Sequence, residues 1–312
     1  MDKHRAGRNR TITLNNAEKE RYCKNLTLLS EPADIKTVTN KIINQNIFET
    51  LDFLPNNFAD LLILDPPYNL NKTFNSTTFR KKSIAEYAEW FENLLAKLLT
   101  KLKNTASVYV CSEWHSSTAI HLVTEKYLKV RNRITWEREK GRGAKSNWKN
   151  ASEDIWFATV SDNYTFNVEN VKLKRKVLAP YTHPDGTPKD WEDTPKGQFR
   201  LTYPSNLWND ITVPFWSMPE NTDHPTQKPE KLMAKLILAG TNENDFVFDP
   251  FMGAGSSIVT AKKLNRNFLG IESEQEYCLL AAKRLHLAES DKTIQGYHNG
   301  VFWERNILSI QK

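Results

Sequence analysis

The chain has 312 residues, which is long enough to bury a large core and too long to be a small scaffold held by disulfides. Apolar residues make up 39% of it, and 43 Lys and Arg against 37 Asp and Glu leave a net charge of +6, so it reads as a water-soluble chain with a mildly basic balance. No apolar run approaches the ~18 residues that span a bilayer, and no apolar stretch follows the charged N-terminus, so we expect no signal peptide. We therefore expect a cytoplasmic protein without a membrane partner.

The cysteines and histidines favour neither a disulfide framework nor a metal site. Cys23, Cys111 and Cys278 lie far apart in the sequence. The seven histidines show no spacing typical of metal ligands. We expect no bound metal.

The first half of the chain alternates between predicted helices and strands. Apolar residues over 48–54 predict a short helix, and the all-apolar stretch 61–64 predicts a strand buried on both faces. An apolar spacing of three and four residues predicts an amphipathic helix over 84–103, and a strand is predicted at 107–111.

The same alternation returns near the C-terminus. Helices are predicted at 232–238 and 258–264, and strands at 246–248 and 268–271. Strands that alternate with helices are typical of a doubly wound, mostly parallel α/β sheet. The sequence therefore predicts that fold class.

The middle of the chain differs from both ends. Residues 131–223 hold seven of the fourteen prolines, which predicts a loop-rich insert. Between residues 126 and 150, nine basic residues against two acidic ones give a net charge of +7, more than the whole chain carries. Such a stretch is typical either of a DNA-backbone contact or of a solvated charged loop.

The first of two informative strand ends is Asp65-Pro66-Pro67-Tyr68, which follows the strand at 61–64. The two prolines restrict the backbone, and the carboxylate and aromatic ring come at the edge where open α/β sheets bind ligands. Taken alone, this motif is also compatible with a rigid structural loop.

The second strand end begins at Asp249 and turns into a helix through Gly253 and Gly255, which let the backbone approach a ligand. Nineteen residues after Gly253, Glu272 closes the next strand, where a carboxylate can accept hydrogen bonds from both ribose hydroxyls of a nucleoside. Ile258 stands where a dinucleotide fingerprint has its third glycine, so a different nucleoside cofactor is favoured. A tight turn without a ligand is the alternative.

Together, these motifs resemble those of the amino-methylating DNA methyltransferases that use S-adenosylmethionine. Residues 65–68 match the catalytic motif of that family, residues 249–255 its cofactor loop, and residues 224–229 (His-Pro-Thr-Gln-Lys-Pro) the segment before that loop. The motif order resembles the circularly permuted beta class over about residues 42–285, and an Asp at the first motif position resembles the adenine-N6 enzymes. One departure is Gln45-Asn46, where relatives often carry Gly-Asp.

The resemblance implies a Rossmann-like methyltransferase core with a target-recognition insert. The implied parts are a peripheral segment (1–40), the catalytic half of the core (41–130), the target-recognition region (131–223), the cofactor half (224–285) and a C-terminal extension (286–312). Beside such a core, the basic stretch is interpreted as a double-stranded DNA contact. The implied DNA-binding residues are Arg138, Lys140, Arg142, Lys145 and Lys149.

The resemblance also assigns roles within the site. Asp65, Pro66, Pro67 and Tyr68 are the implied catalytic residues: the Asp65 carboxylate and the Pro66 carbonyl accept from the exocyclic amine of the target base, and Tyr68 stacks on the flipped base. Transfer is direct, without a covalent enzyme intermediate. The implied S-adenosylmethionine-binding residues are Asn46, Asp65, His224, Thr226, Lys228, Asp249, Phe251, Gly253, Gly255, Ser256 and Glu272. Thr226 is expected to be the N-cap of a helix over 228–238, and Thr226 and Lys228 to hold the methionine carboxylate.

Three alternatives to site-specific adenine-N6 methylation of DNA stay open at this point. The motif also occurs in cytosine-N4 enzymes, similar Pro-Pro-Tyr motifs occur in RNA and protein amino-methyltransferases, and a non-catalytic DNA-binding protein could share the fold. A cognate restriction endonuclease and a homodimer are further open partners.

Overall fold

The computed structural model describes residues 7–74, 77–138, 146–178 and 180–304. The helices are α1 (Asn16–Cys23), α2 (Ile35–Val38), α3 (Ile47–Thr50), α4 (Ile84–Leu99), α5 (Trp114–Tyr127), α6 (Glu230–Gly240), α7 (Ser256–Lys263) and α8 (Gln275–Ser290), with short 3₁₀ helices at Leu51–Phe53 and Val168–Val171. The strands are β1 (Leu26–Thr27), β2 (Lys41–Ile43), β3 (Ala59–Leu64), β4 (Lys72–Phe74), β5 (Thr77–Phe79), β6 (Leu102–Ser112), β7 (Lys129–Glu137), β8 (Ser152–Thr159), β9 (Leu173–Lys176), β10 (Glu192–Thr194), β11 (Gly197–Thr202), β12 (Leu207–Trp208), β13 (Phe246–Asp249), β14 (Asn267–Ile271), β15 (Tyr297–His298) and β16 (Val301–Trp303).

Within the described residues, a nine-stranded sheet has the order β1-β2-β14-β13-β3-β6-β8-β7-β12. The strands from β1 to β6 in this order pair in parallel, whereas β8 is antiparallel to both of its neighbours. The predicted doubly wound, mostly parallel α/β class is therefore confirmed. A smaller sheet of the described residues, β10-β11-β9-β16-β15, lies in the insert and the C-terminal extension.

Helices cover both faces of the large sheet. Along β3, Leu62 and Leu64 pack with α4 and α5 on one face, while Leu61 and Ile63 pack with α6, α7 and α8 on the other. Side chains alternate between the faces of a strand, so an all-apolar run is needed wherever both faces are covered. This is the burial that the run at 61–64 predicts.

Two helix ends differ from the prediction. α4 ends at Leu99 and not at 103, because the Lys101 ammonium turns inward to the Leu54 carbonyl (2.9 Å) and the chain continues directly into β6. α6 begins at Glu230, so the prediction of a Thr226 N-cap is wrong. The Glu220 carboxylate accepts from the Glu230 amide at 2.6 Å, and thus caps this helix from a distant part of the chain.

The expected insert contributes strands to the central sheet. β7 begins at Lys129 and pairs with β8, so the first part of the basic stretch is a regular strand and not a flexible loop. Ile134 and Trp136 face the core, while Arg131 and Arg133 point away from it. The N-terminal segment also adds β1 to the edge of the sheet. The five-part division of the chain stays a prediction.

Two further findings concern the described residues as a whole. No helix among them is long and apolar enough to cross a membrane. All three cysteines lie in this part of the chain and are free thiols, with Cys111 and Cys278 buried.

Replacement of Leu62 tests the double-sided burial of β3. Leu62 is fully buried in the centre of the sheet. We expect Leu62→Ala to lower the free energy of unfolding by about 3 kcal/mol, because it removes apolar contacts and leaves a cavity. Leu122→Ala, on the exposed face of α5, is the control and should change it by less than about 0.5 kcal/mol. Urea denaturation measures both, and equal effects would contradict the packing described above.

Candidate active site

The candidate site lies where the parallel strands end. Asp65 follows β3, Asp249 ends β13 and Glu272 follows β14, so all three carboxylates reach the same edge of the sheet. A cavity of about 450 Å³ opens there. It brings together most of the predicted site residues: Asn46, Asp65, Pro66, Pro67, Tyr68, Arg138, His224, Thr226, Lys228, Asp249, Phe251, Gly253, Ser256 and Glu272 all line it.

Of the remaining predicted site residues, Gly255 lies in the turn before α7 and outside the cavity lining. Lys149 is exposed and also lies outside that lining. Lys140, Arg142 and Lys145 lie outside the described residues.

Helix α4 and the residues before it hold the Asp65–Tyr68 loop in place. Tyr87 of α4 donates its hydroxyl hydrogen to the Pro67 carbonyl at 3.2 Å. The Asn69 side chain bonds to both backbone groups of Lys82, at 2.8 and 2.9 Å. With two prolines and these three hydrogen bonds, the loop is a rigid platform for the Asp65 carboxylate.

The Lys228 ammonium sits at the centre of the site. Its Nζ lies 2.6 Å from Asp65 Oδ2, 3.1 Å from the Tyr68 hydroxyl and 3.3 Å from Glu153 Oε2. Burial alone would lower the pKa of Lys228, but the Asp65 and Glu153 carboxylates outweigh it and raise that pKa. Lys228 is therefore charged at neutral pH.

One oxygen of the Asp65 carboxylate has no partner. Asp65 Oδ1 is buried and has no hydrogen-bond partner among the described residues, while Oδ2 is held by Lys228. A buried acceptor without a donor costs free energy, and such an atom in a native structure calls for an explanation. Because Asp65 lines the cavity, its carboxylate has one unused acceptor beside the space for a ligand.

Tyr68 is fixed by the same group of side chains. Its hydroxyl donates to Glu153 Oε2 at 3.1 Å and accepts from Lys228. Burial, together with the negative charges of Asp65 and Glu153, raises the pKa of Tyr68 well above its usual value. The phenol stays neutral, and its ring is held in one orientation beside Asp65.

The loop over 249–255, called here the cofactor-type loop, is held in place by hydrogen bonds to Asp249. This carboxylate accepts from the Phe251 amide at 3.0 Å and from the Ser257 hydroxyl. Burial raises the pKa of Asp249 to about 7, although both hydrogen bonds act in the opposite direction. The turn is held by a carboxyl that is partly protonated at neutral pH.

Gly253 brings the backbone of this loop close to the cavity. Its φ is +52°, and a Cβ at this position would come within 2.8 Å of His224 Nε2. Its amide donates to Glu272 Oε2 at 3.2 Å, and the Glu274 amide donates to Glu272 Oε1 at 2.8 Å. These two hydrogen bonds fix the Glu272 carboxylate beside the loop, and burial raises the pKa of Glu272.

The segment 224–229 is joined to the cofactor-type loop. Ser256 donates its hydroxyl hydrogen to the Lys228 carbonyl at 2.7 Å. Beneath the loop, the fully buried Arg284 of α8 donates to the Ala254 carbonyl at 2.7 Å and pairs with Glu230 at 2.9 Å. The loop, the segment and α8 therefore form one hydrogen-bonded assembly.

The sequence analysis missed two residues of this arrangement, Glu153 and Arg284. Glu153 occupies a core-facing position of β8, two and four residues before Ile155 and Phe157, and an acidic residue at such a position of an alternating strand was the available signal. Arg284 carries no signal, since a basic residue on a helix is ordinarily solvated.

The pH dependence of stability tests the buried Asp249 carboxyl. Because its folded-state pKa is raised from 3.8 to about 7, the native state keeps a proton that the unfolded chain releases, and stability is lost as the pH rises through this window. Asp249→Asn removes the effect. At about 1.4 kcal/mol per unit, we expect the variant to gain roughly 2 to 3 kcal/mol on wild type between pH 5 and pH 8.

Urea unfolding of both ligand-free proteins at the two pH values measures this difference. Other groups with shifted pKa values are common to both proteins and cancel. A difference in stability that does not change with pH would contradict the buried, protonated carboxyl.

Comparison with known proteins gives matches over most of the chain. Residues 59–283 match the N6/N4 family described as DNA methylase. The chain is 30% identical to the DNA adenine methyltransferase YhdJ of Escherichia coli K12 over 261 residues, covering 83% of this chain and 86% of that protein. It is 30% identical to the type II methyltransferase M.HpaI of Haemophilus parainfluenzae over 248 residues, covering 78% and 74%. The solved SAM complex of M1.HpyAVI matches with a TM-score of 0.50 and 25% identity, covering 78% of this chain and 98% of that one.

Proposed function

Because this chain belongs to the N6/N4 family of DNA methylases, we propose that its cavity transfers a methyl group from S-adenosylmethionine to N6 of adenine in DNA. Adenine is favoured over cytosine N4 because a relative with 30% identity over 83% of the chain is named a DNA adenine methyltransferase. Membership in a DNA methylase family also counts against the RNA, protein and non-catalytic alternatives. The observation that carries the proposal is Asp65 Oδ1, a buried acceptor without a partner in the described residues.

The residues of the cavity fit S-adenosylmethionine. Its described lining contains five carboxylates and two basic side chains, which favours a cationic sulfonium group. In this proposal Glu272 accepts from the ribose hydroxyls, and Gly253, which lines the cavity beside it, has no side chain that would enter the space for the nucleoside. When bound, S-adenosylmethionine supplies an activated methyl group on sulfur.

Roles for the other cofactor-binding residues remain part of the proposal. Asn46 and Phe251 line the cavity, and in this proposal they contact the adenine ring. The ring centroids of His224 and Tyr277 lie 4.3 Å apart. Thr226 and the amide end of α7 at Ser256 would hold the methionine end. The Lys228 ammonium already contacts two carboxylates and a hydroxyl, so it would bind the methionine carboxylate only by giving up one of these.

The protein side of the reaction follows from the rigid loop at 65–68. The amine of the target base is a weak nucleophile because its lone pair is delocalised into the ring. If Asp65 Oδ1 and the Pro66 carbonyl accept its two hydrogens, the nitrogen becomes more tetrahedral and its lone pair points out of the ring plane. Asp65 also stabilises the positive charge that develops on the nitrogen.

The target base must leave the duplex to reach this site, and in this proposal it stacks on the Tyr68 ring. Stacking of this kind contributes about 1–3 kcal/mol, which offsets part of the cost of unstacking. Contacts to phosphates from the basic stretch supply the rest. Arg138, directly after β7, lines the cavity. Among the described basic residues, we assign a phosphate contact beside the flipped base to Arg138.

The proposal also covers a genetic partner, the cellular location and a second copy of the chain. The chain's relative M.HpaI is named a type II methyltransferase, which supports a cognate restriction endonuclease as a genetic partner. We propose a cytoplasmic location, supported by the three free thiols. The homodimer stays a prediction of the sequence.

Replacement of Asp65 tests the proposed chemistry. We expect Asp65→Ala to lower methyl transfer to DNA by at least about 100-fold, because the amine loses an acceptor and its charge stabilisation. Because Asp65 is one of many implied cofactor contacts, binding of S-adenosylmethionine, measured by calorimetry, should weaken far less than transfer does. Asp52→Ala, an exposed carboxylate on the 3₁₀ helix before β3, is the control and should behave as wild type.

The assay mixes labelled S-adenosylmethionine with duplex DNA of varied sequence and digests the product to nucleosides. N6-methyladenine is the expected product. N4-methylcytosine would overturn the choice of base, and the absence of any methylated nucleoside would overturn the enzymatic proposal. Full activity of Asp65→Ala would remove Asp65 from its role.

The salt dependence of DNA binding tests the basic stretch. We expect neutralisation of Arg138, Lys140 and Arg142 to weaken binding and to reduce the slope of log affinity against log salt by about 0.9 for each phosphate that the variant no longer neutralises. Lys36→Gln, at an exposed position in α2, serves as the control. A slope that does not change would place the DNA surface elsewhere.

A further inference from the structure

A chain of charges connects the solvent to the reactive carboxylate. Arg138 Nη1 lies 2.5 Å from Glu153 Oε1, and Glu153 Oε2 lies 3.3 Å from Lys228 Nζ. Lys228 Nζ in turn lies 2.6 Å from Asp65 Oδ2. Two cations and two anions alternate, so the group of four is neutral as a whole.

The members of this chain of charges differ in exposure. The Arg138 side chain is 35% exposed and that of Asp65 20%, whereas those of Glu153 and Lys228 are each 6% exposed. Arg138 directly follows the strand β7, and the basic stretch after it is the proposed DNA contact. Of the two cations in the group, a DNA phosphate therefore reaches Arg138 before Lys228.

The Lys228 ammonium is shared between two carboxylates, and its position depends on how strongly each attracts it. Arg138 neutralises much of the Glu153 charge, so Lys228 lies closer to Asp65 (2.6 Å) than to Glu153 (3.3 Å). In a buried site such attractions are weakly screened, and loss of one cation shifts the balance appreciably. An uncompensated Glu153 would draw Lys228 towards itself.

The position of Lys228 matters for the reaction. With the ammonium on Oδ2, much of the negative charge of Asp65 is neutralised, and this carboxylate is less able to stabilise the positive charge that forms on the amine nitrogen. Moving the ammonium to Glu153 restores that charge beside the target base.

We propose that Glu153 is a positioning residue that withdraws Lys228 from Asp65 when a DNA phosphate takes Arg138. This inference rests on the proposed function and adds a residue that none of the motifs contains. Glu153 acts through Lys228 and does not itself touch the reacting atoms. The ion pairs thereby couple engagement of the DNA backbone to activation of the catalytic carboxylate.

The experiment compares three variants in single-turnover methyl transfer at saturating DNA and S-adenosylmethionine. Glu153→Gln keeps the shape but removes the charge, and we expect the transfer rate to fall on the order of 10-fold to 100-fold with little change in S-adenosylmethionine affinity. Glu153→Asp keeps the charge and should recover part of that rate.

Arg138→Gln separates positioning from a purely structural role. It leaves Glu153 uncompensated, so we expect weaker DNA binding and, once DNA saturates, a loss of transfer rate that is below tenfold and smaller than in Glu153→Gln. If the ion pairs only hold the structure together, Arg138→Gln and Glu153→Gln should slow transfer equally. The double variant should have the rate of Glu153→Gln.

The outcomes are distinguishable from failure of the proposed function. Wild-type protein that methylates no DNA would overturn the function itself. Active wild type with an unchanged rate in Glu153→Gln, or with Arg138→Gln slowed tenfold or more at saturating DNA, would overturn the positioning role alone. If Glu153→Gln does not fold, as judged by thermal unfolding, the Arg138→Gln rate decides.

Discussion

The shared ammonium of Lys228 is the interaction on which the site depends. It joins the end of β3, the strand β8 and the segment before α6, which are far apart in the sequence. Asp65 and Glu153 would repel each other in a buried site without a cation between them, and Lys228 would lose its charge without the carboxylates. The three side chains are therefore interdependent, and the parallel sheet brings them to one edge.

The rest of the site depends on the parallel sheet and on a few side-chain hydrogen bonds. Parallel strands covered on both faces end at one edge, and that edge receives Asp65, Asp249 and Glu272. The loops at this edge are held by side chains of neighbouring helices, as Tyr87 does for Pro67 and Arg284 for Ala254. A site built on a rigid sheet needs little rearrangement to present its acceptors.

The sequence predicted those features that depend on local patterns. The apolar run at 61–64, the glycine turn after Asp249 and the three motifs depend on local spacing, so the fold class and about half of the cavity lining could be predicted. Features that depend on distant contacts could not. The start of α6 is decided by Glu220, and the contact of Glu153 with Lys228 is visible only once β8 lies beside β6 and β7.

Arg284 has a consequence for how related genes are interpreted. It lies in α8, after the last recognisable motif, yet its buried guanidinium holds the Ala254 carbonyl and balances Glu230. A copy of the gene that stops before this codon would keep all three motifs and lose the support beneath the loop over 249–255. Motif searches would count such a truncated gene as intact, although its protein would lack the side chain that holds this loop.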